Sequence, residues 1–323
     1  MSELTPIWPA DPEFLEKAAS ILKNGGIGAM PTETVYGLAG DAFNTFAISR
    51  IFEAKNRPTF NPLIVHISDP ADLEKLTSFP LSKLQKLIEA FWPGPLTLVL
   101  PKLESVPDLT TGGRPSVAVR LPAHLVARDL IRLSGGFLAA PSANPFNYIS
   151  PTTAEHVQSQ LSGKIDFILD GGSCKVGVES TVISLTEDRP VLLRHGGLSF
   201  EDLKTVLPDL HERTELHGGH GPDSPGQLAV HYSPGTPMKL WKGEPLSGKK
   251  TGLISWNFIP EDADVTVLRL SEKGDLREAA SRIFEFLHIL DKLNLDMIYA
   301  ESVPEMGLGK AINDRLRKAA GKG

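Results

Sequence analysis

The sequence predicts an α/β protein in two units, a larger one built on a twisted open sheet and a smaller one of the same class. Three observations carry this. Short apolar runs of strand length alternate with stretches of helical period along most of the chain. One stretch, from His211 to Pro237, breaks that pattern with Gly, Pro, His and Ser. Finally, 323 residues are long for a single compact core.

The first element is a helix. Asp11 can cap it, Pro12 suits its first position, and Phe14, Leu15, Ala18, Ile21 and Leu22 share a face until Gly25-Gly26. A strand at Ile27–Met30 leads into the loop Pro31–Gly37. Thr45 is placed as the cap of a second helix, which turns Ile48, Ile51 and Phe52 inward and ends at Lys55-Asn-Arg-Pro58. Apolar runs at Leu63–Ile67, Leu96–Leu100, Val117–Leu121, Phe137–Ala140, Phe167–Leu169, Thr181–Leu185 and Val191–Leu193 read as buried strands. Helices at Leu81–Phe91, Ala123–Leu133 and Thr153–Leu161 lie between them, the last with a capping box of Thr152 and Glu155. The second unit has strands near Met238–Trp241, Gly252–Trp256, Val265–Leu268 and Met297–Ala300, with helices at Asp275–Leu290 and Leu308–Ala319. The boundaries fall at 1–207 for the larger domain, 208–237 for a linker and 238–323 for the smaller domain. A linker of that length reads as a lid or a tether.

Composition excludes several classes. The net charge is −6, whereas a protein that grips a duplex through many phosphates is usually basic. This argues against a dedicated nucleic-acid binder and leaves room for transient contact with tRNA. Cys174 is the only cysteine, so no intramolecular disulfide or cysteine zinc cluster can form. The N-terminal residues lack the basic start and apolar core of a signal peptide, and no apolar run is long enough to span a bilayer. A cytoplasmic protein without membrane partners is expected.

Some motifs fail on inspection. Gly243-Glu-Pro-Leu-Ser-Gly248-Lys249-Lys250 nearly spells a P-loop, but lysine replaces the Mg2+-binding hydroxyl and a strand follows where a helix is needed. His211, His217 and His220 sit on a Gly-rich stretch without rigid support, so a solvated loop is the better reading than a zinc site. No Gly-x-Ser-x-Gly elbow occurs, and Cys174 reads as packing.

Others gain weight together. Lys55 and Arg57 make a positive prong at a helix end, which alone reads equally well as solvated charges favoured by the helix dipole. Pro141-Ser-Ala-Asn144 directly follows an apolar run, where ligands collect in open α/β sheets, although these are also turn residues. Arg120 and Arg194 lie in apolar strands, where a charge needs a partner, so an anion is expected nearby.

At this point the chain resembles a known family. Pro31-Thr-Glu-Thr-Val-Tyr-Gly-Leu38, Lys55-x-Arg57-Pro58, Asn61-Pro-Leu, Pro141-Ser-Ala-Asn144 and Glu179-Ser-Thr-Val182 look like the signatures of YrdC-like domains. Ser224-Pro-Gly226 and His231-Tyr232-x-Pro234 resemble the interdomain segment of the two-domain members, the threonylcarbamoyl-AMP synthases. The ending from Val303 to Arg315 is similar to their C-terminal domain. The resemblance spans nearly the whole chain.

What it implies is specific. The fold would be a YrdC-like twisted open mixed sheet with a smaller Rossmann-like α/β domain. The reaction would join L-threonine, bicarbonate or CO2, and ATP into threonylcarbamoyl-AMP and pyrophosphate. A tRNA threonylcarbamoyl transferase would then take the product to make N6-threonylcarbamoyladenosine. By the same resemblance, Thr34, His66, Arg120, Ala140 and Ser180 hold threonine. Lys55, Arg57, Asn61, Ser116, Ser142, Ser150, Arg194 and His231 hold ATP, with Mg2+ on its phosphates. Lys55, Arg57, Ser142 and Asn144 are the expected catalytic residues. The carbamate nucleophile is already anionic, so the chemistry needs positioning and charge stabilisation more than a strong base. Ser224–Pro234 would fold over the nucleotide. Asn147, where glycine is common, and His195, where proline is frequent, depart from the pattern, as does Gln227-Leu-Ala-Val with no basic residue. An RNA-binding module and a carbamoyl-handling enzyme with another acceptor are the competing readings.

Overall fold

The computed structural model describes residues 4–213, 231–243, 246, 250–257 and 265–321. Among them, eleven strands form one mixed sheet, in the order β1 (Ile7–Pro9), β8 (Phe167–Asp170), β2 (Gly28–Met30), β3 (Gly37–Asp41), β7 (Leu138–Ala139), β4 (Ile64–His66), β6 (Ser116–Arg120), β5 (Leu96–Pro101), β9 (Thr181–Ser184), β10 (Val191–Arg194) and β11 (His211–Glu212). A second sheet runs β12 (Met238–Leu240), β15 (Met297–Ala300), β13 (Thr251–Ser255), β14 (Val265–Arg269), with every pair parallel. Helices α1 (Pro12–Lys23), α2 (Thr45–Lys55), α3 (Gln85–Phe91), α4 (Asp108–Thr111), α5 (Leu125–Leu133), α6 (Ala154–Leu161) and α7 (Phe200–Val206) belong to the first unit. The second has α8 (Leu276–Asp291) and α9 (Gly309–Ala320). The predicted class, a mixed sheet with helices plus a smaller α/β unit, is the one observed.

Local chemistry explains most boundaries, and corrects some. Asp11 caps α1, accepting from the Phe14 N–H at 3.1 Å. Thr45 does not cap α2. Asn44 does, with its side-chain oxygen accepting from Phe46 and Ala47 at 3.0 and 3.3 Å, and asparagine is at least as good a cap. Thr153 rather than Thr152 caps α6, accepting from the His156 N–H at 3.3 Å. Three short strands and the helices α4 and α7 escape the sequence pattern. β3 reads Gly-Leu-Ala-Gly-Asp, with none of the β-branched residues that mark strands. β11 lies inside the segment expected to be linker, yet it pairs with β10, Val191 opposite His211.

His217, His220, Ser224–Gly226 and Gln227 fall outside the described residues, as do 244, 245 and 247–249 of the near P-loop. β13 follows that segment, as expected. No helix among the described residues is long and apolar enough to cross a membrane.

The second unit leans on loops of the first. Val35, Ile149 and Val178 join Ile283, Phe284 and Leu287 of α8 in one buried cluster. At Gly177, φ is +74° and a Cβ would lie 2.4 Å from the Ala280 carbonyl oxygen and the Ser281 Cα. Only glycine permits both. The loops gripped in this way are those that carry the candidate site.

Candidate active site

Register puts the site together. β4 and β6 run parallel and end together, with His66 opposite Arg120. Antiparallel β5 sets Thr97 opposite Arg120, β9 sets Val182 opposite Thr97, and β10 sets Arg194 opposite Val182. At one level across five neighbouring strands, four therefore carry a polar residue (His66, Arg120, Thr97 and Arg194), with Val182 of β9 between the last two. Ser180, just before β9, shares a 2.7 Å hydrogen bond between its hydroxyl and that of Thr97. Beneath lies a small apolar floor of Ile64, Val99, Ala118 and Val182, separate from the main core.

The loop Pro31–Tyr36 walls one end. Arg120 donates through Nη2 to Glu33 Oε1 at 2.6 Å, through Nη1 to Thr34 Oγ1 at 2.9 Å and through Nε to the Gly94 carbonyl at 3.3 Å. Glu33 also accepts from the Ala123 N–H at 3.1 Å. A buried cation thus meets a buried carboxylate with most of its donors used. His66 lies beside it, with Nδ1 3.2 Å from the Ile64 carbonyl. Burial, and then the Arg120 charge, pull its imidazole down to about 3, so it is neutral at pH 7.

At the other end, Lys55 and Arg57 bond only neutral groups. Asn56 ends α2 in the left-handed region at φ 50°, which turns Arg57 back over Asn61. The Arg57 guanidinium donates to the Asn61 carbonyl, Asn61 Oδ1 and the Pro62 carbonyl at 3.2, 2.7 and 2.9 Å. Lys55 Nζ donates to the carbonyls of Ser142 and Asn144. All these acceptors are neutral. Burial, and then Arg194, lower Arg57 to about 9; burial, and then Arg57, hold Lys55 well below the usual lysine range. Arg194 bonds the Ser180 carbonyl at 2.9 Å and its hydroxyl at 3.1 Å, and burial lowers it too.

One cavity joins the two ends. Thr34, Arg57, His66, Arg120, Ala140, Ser142, Ser180, Arg194 and His231 all line it, together with Val35, Ile64, Pro141, Glu179 and Tyr232. His231 stands edge-on to Phe146, and burial pulls it to about 3. The remaining expected residues stand behind this surface. Lys55 and Asn144 lie under the Ser142 loop, Asn61 lies under Arg57, and Ser150 is fully buried, donating to Glu179 Oε1 at 2.7 Å. Ser116 opens β6, about 13 Å from Arg120 at some 3.3 Å per residue, and alternation puts it on the face of Ala118 and Arg120.

Sequence reasoning passed over Glu33, Glu179 and Tyr232. The two carboxylates sit inside recognised motifs, and two arginines in apolar strands were the signal that buried acids must exist. Two of the three departures lie among the described residues. Asn147 takes φ 65°, a left-handed geometry that asparagine tolerates better than most residues. His195 Nε2 is 3.7 Å from Glu212 Oε1.

A mixed sheet with buried cations gathered at its strand ends defines an anion-binding α/β protein. Residues 20–196 match the Sua5–YciO–YrdC family model, described as telomere recombination, and residues 198–321 match that of the threonylcarbamoyl-AMP synthase C-terminal domain. The chain belongs to the threonylcarbamoyl-AMP synthase family. It is 44% identical to the threonylcarbamoyl-AMP synthase of Pyrococcus abyssi over 94% of this chain and 93% of that one. Identity to the Bacillus subtilis synthase is 42%, over 96% and 94%. The crystal structure of P. abyssi Sua5 complexed with L-threonine matches with a TM-score of 0.91 at 42% identity, covering 98% of both chains. E. coli YciO, at 23% identity and a TM-score of 0.54 over 61% of this chain, shares the fold.

Proposed function

We propose that the protein makes threonylcarbamoyl-AMP and pyrophosphate from L-threonine, bicarbonate or CO2, and ATP, and so supplies tRNA N6-threonylcarbamoyladenosine synthesis. The observation that carries this reading is the division of one cavity into two ends. A zwitterion fits the end where Arg120 is already balanced by Glu33: its carboxylate meets the remaining guanidinium edge and its hydroxyl meets Thr34, His66 or Ser180. A polyanion fits the end where Arg57, Arg194 and the Lys55-anchored Ser142 loop gather positive charge.

The chemistry follows from that placement. Threonine carbamate is its own nucleophile, attacking the α-phosphorus while the P–O bond to pyrophosphate breaks. His66 and His231 are neutral and serve as hydrogen-bonding groups, with no proton to deliver. The residues act by holding the carbamate and the phosphate in line and by stabilising the charge on departing pyrophosphate. Asn144 Oδ1 is buried without a hydrogen-bond partner, an oxygen of the hard kind that suits Mg2+. Asn144 and Ser142 would hold the metal with the ATP phosphates, where it would neutralise charge. A tRNA threonylcarbamoyl transferase is the proposed partner that takes the adenylate on.

The test is formation of an AMP-containing product and pyrophosphate from ATP, with threonine and bicarbonate each omitted in turn. Turnover that needs all three supports the reading. ATP cleavage indifferent to threonine overturns it.

A further inference from the structure

We infer that Arg315, in the last helix of the small domain, is a positioning residue for the nucleotide end of the cavity, acting through Glu179 and Tyr232. This rests on the adenylate-forming reading above and extends it to a residue outside the cavity.

The geometry is a buried relay across the two units. Arg315 has no exposed side-chain surface. Its Nε donates to Glu179 Oε2 at 2.8 Å, its Nη2 to the His195 carbonyl at 2.9 Å and its Nη1 to Asp314 Oδ2 at 2.7 Å. The other Glu179 oxygen accepts from the Ser150 hydroxyl at 2.7 Å. Glu179 therefore spends one oxygen on each side of the domain boundary. Ser150, fully buried behind the cavity wall, spends its only hydroxyl proton on that bond and so fixes Glu179 from the side of the larger unit. The guanidinium also lies over the Tyr232 ring, 5.1 Å from its centroid, and Tyr232 lines the cavity next to His231. Tyr232 holds φ 65°, a costly conformation for an aromatic residue, so its place depends on what packs against it.

Charge gives the relay a second consequence. Burial alone would raise the Glu179 carboxyl, but Arg315 and then Arg194 more than offset this and hold it ionised. With Arg315 present, the Glu179 charge is answered from outside the cavity, and Arg194 can turn toward an incoming anion without leaving a carboxylate bare. Without Arg315, Glu179 and Arg194 would have to answer each other.

The experiment compares steady-state adenylate formation by the wild-type protein with Arg315→Met, Arg315→Lys and Glu179→Gln/Arg315→Met, varying ATP and threonine separately. Circular dichroism and thermal melting run alongside. The KM for ATP is expected to rise about tenfold or more in Arg315→Met, while the KM for threonine changes less than about threefold. Lysine, which cannot serve three acceptors in a plane, recovers only part of the loss. The double variant, whose buried charges are again balanced, regains thermal stability but not the KM for ATP. An unchanged ATP KM in folded Arg315→Met overturns the inference. So does full recovery in the double variant, which would make Arg315 a mere counter-charge. So do parallel rises in both KM values, which would mean general loosening. A wild-type protein that forms no adenylate from threonine and ATP would instead sink the functional reading itself.

Discussion

Arg120 and Arg57 are buried to nearly the same degree, at 4% and 7% exposure, yet they are served in opposite ways. Arg120 faces Glu33 at 2.6 Å; every bond of Arg57 ends on a neutral oxygen. A buried cation with a carboxylate partner is part of the fold. A buried cation without one is a cost that folding bears elsewhere, and an arriving anion relieves it. The contrast separates residues that hold the site together from residues that await a ligand, although all of them line one cavity.

The sharpest way to break this comparison is to remove each arginine and read activity and stability together. Arg57→Met should lower kcat/KM for ATP by about 10³-fold, because it deletes charge from the polyanion end, and yet cost only about 1–2 kcal/mol of stability, since it strands neutral oxygens of Asn61 and Pro62 and no carboxylate. Arg120→Met should raise the KM for threonine by about 10²-fold and also destabilise the protein by about 3–5 kcal/mol, because Glu33 is left buried and unpaired. Denaturant midpoints set beside kinetics decide the matter. Equal stability losses would mean that the two cations are not differently compensated. Glu33→Gln combined with Arg120→Met should recover most of the stability and none of the threonine affinity.

Acid probes both ends at once. His66 and His231 are pulled to about 3 by burial, and the stacked interdomain pair His156 and His288 to about 4 and about 3. Each folded value lies below the unfolded histidine value of about 6.5. Between these limits the unfolded chain binds protons that the native chain refuses, so stability rises with pH in that window and is lost as pH falls from 6.5. The melting temperature should be flat above pH 7 and drop steadily below 6.5. His288→Asn, which also relieves its 3.9 Å stacked neighbour, should make the drop shallower. A flat profile down to pH 4.5 would show that these rings are not held neutral.

The legible part of this molecule was its periodicity and its motifs. Strands such as Leu96–Pro101, rich in branched residues, and helices with an apolar face were readable because burial leaves a period. β3 was not, since its glycines are there to let Ala140 and Ile51 approach, a tertiary demand with no local signature. Arg120 and Arg194 announced themselves as charges in apolar strands. The counter-charge of Arg120 did not, because Glu33 lies 87 residues away in sequence, and the pair of Arg315 and Glu179, 136 residues apart, left no local sign either. Lys55 shows the limit from the other side. Its motif was plain, but only the folded chain shows that its ammonium is turned inward onto the carbonyls of the Ser142 loop.

The smallest effect concerns the loop that carries Phe146, whose ring lies 5.9 Å from the Arg57 guanidinium and so belongs to the polyanion end. Asn147 follows it at φ 65°, and its carbonyl accepts from the Ser233 N–H at 2.9 Å, joining the loop to the segment after His231 and Tyr232. Glycine at 147 would keep the left-handed geometry and that bond, so Asn147→Gly should change stability by less than about 0.5 kcal/mol and the KM for ATP by less than about twofold. Valine would hold the same geometry only at a cost of about 1–2 kcal/mol. If the loop relaxed to avoid it, Phe146 would move off Arg57 and the KM for ATP would rise while that for threonine stayed put. Measured side by side, the pair of variants separates backbone strain from side-chain contact. Equal behaviour of glycine and valine would remove Asn147 from the list of residues that shape this end of the cavity.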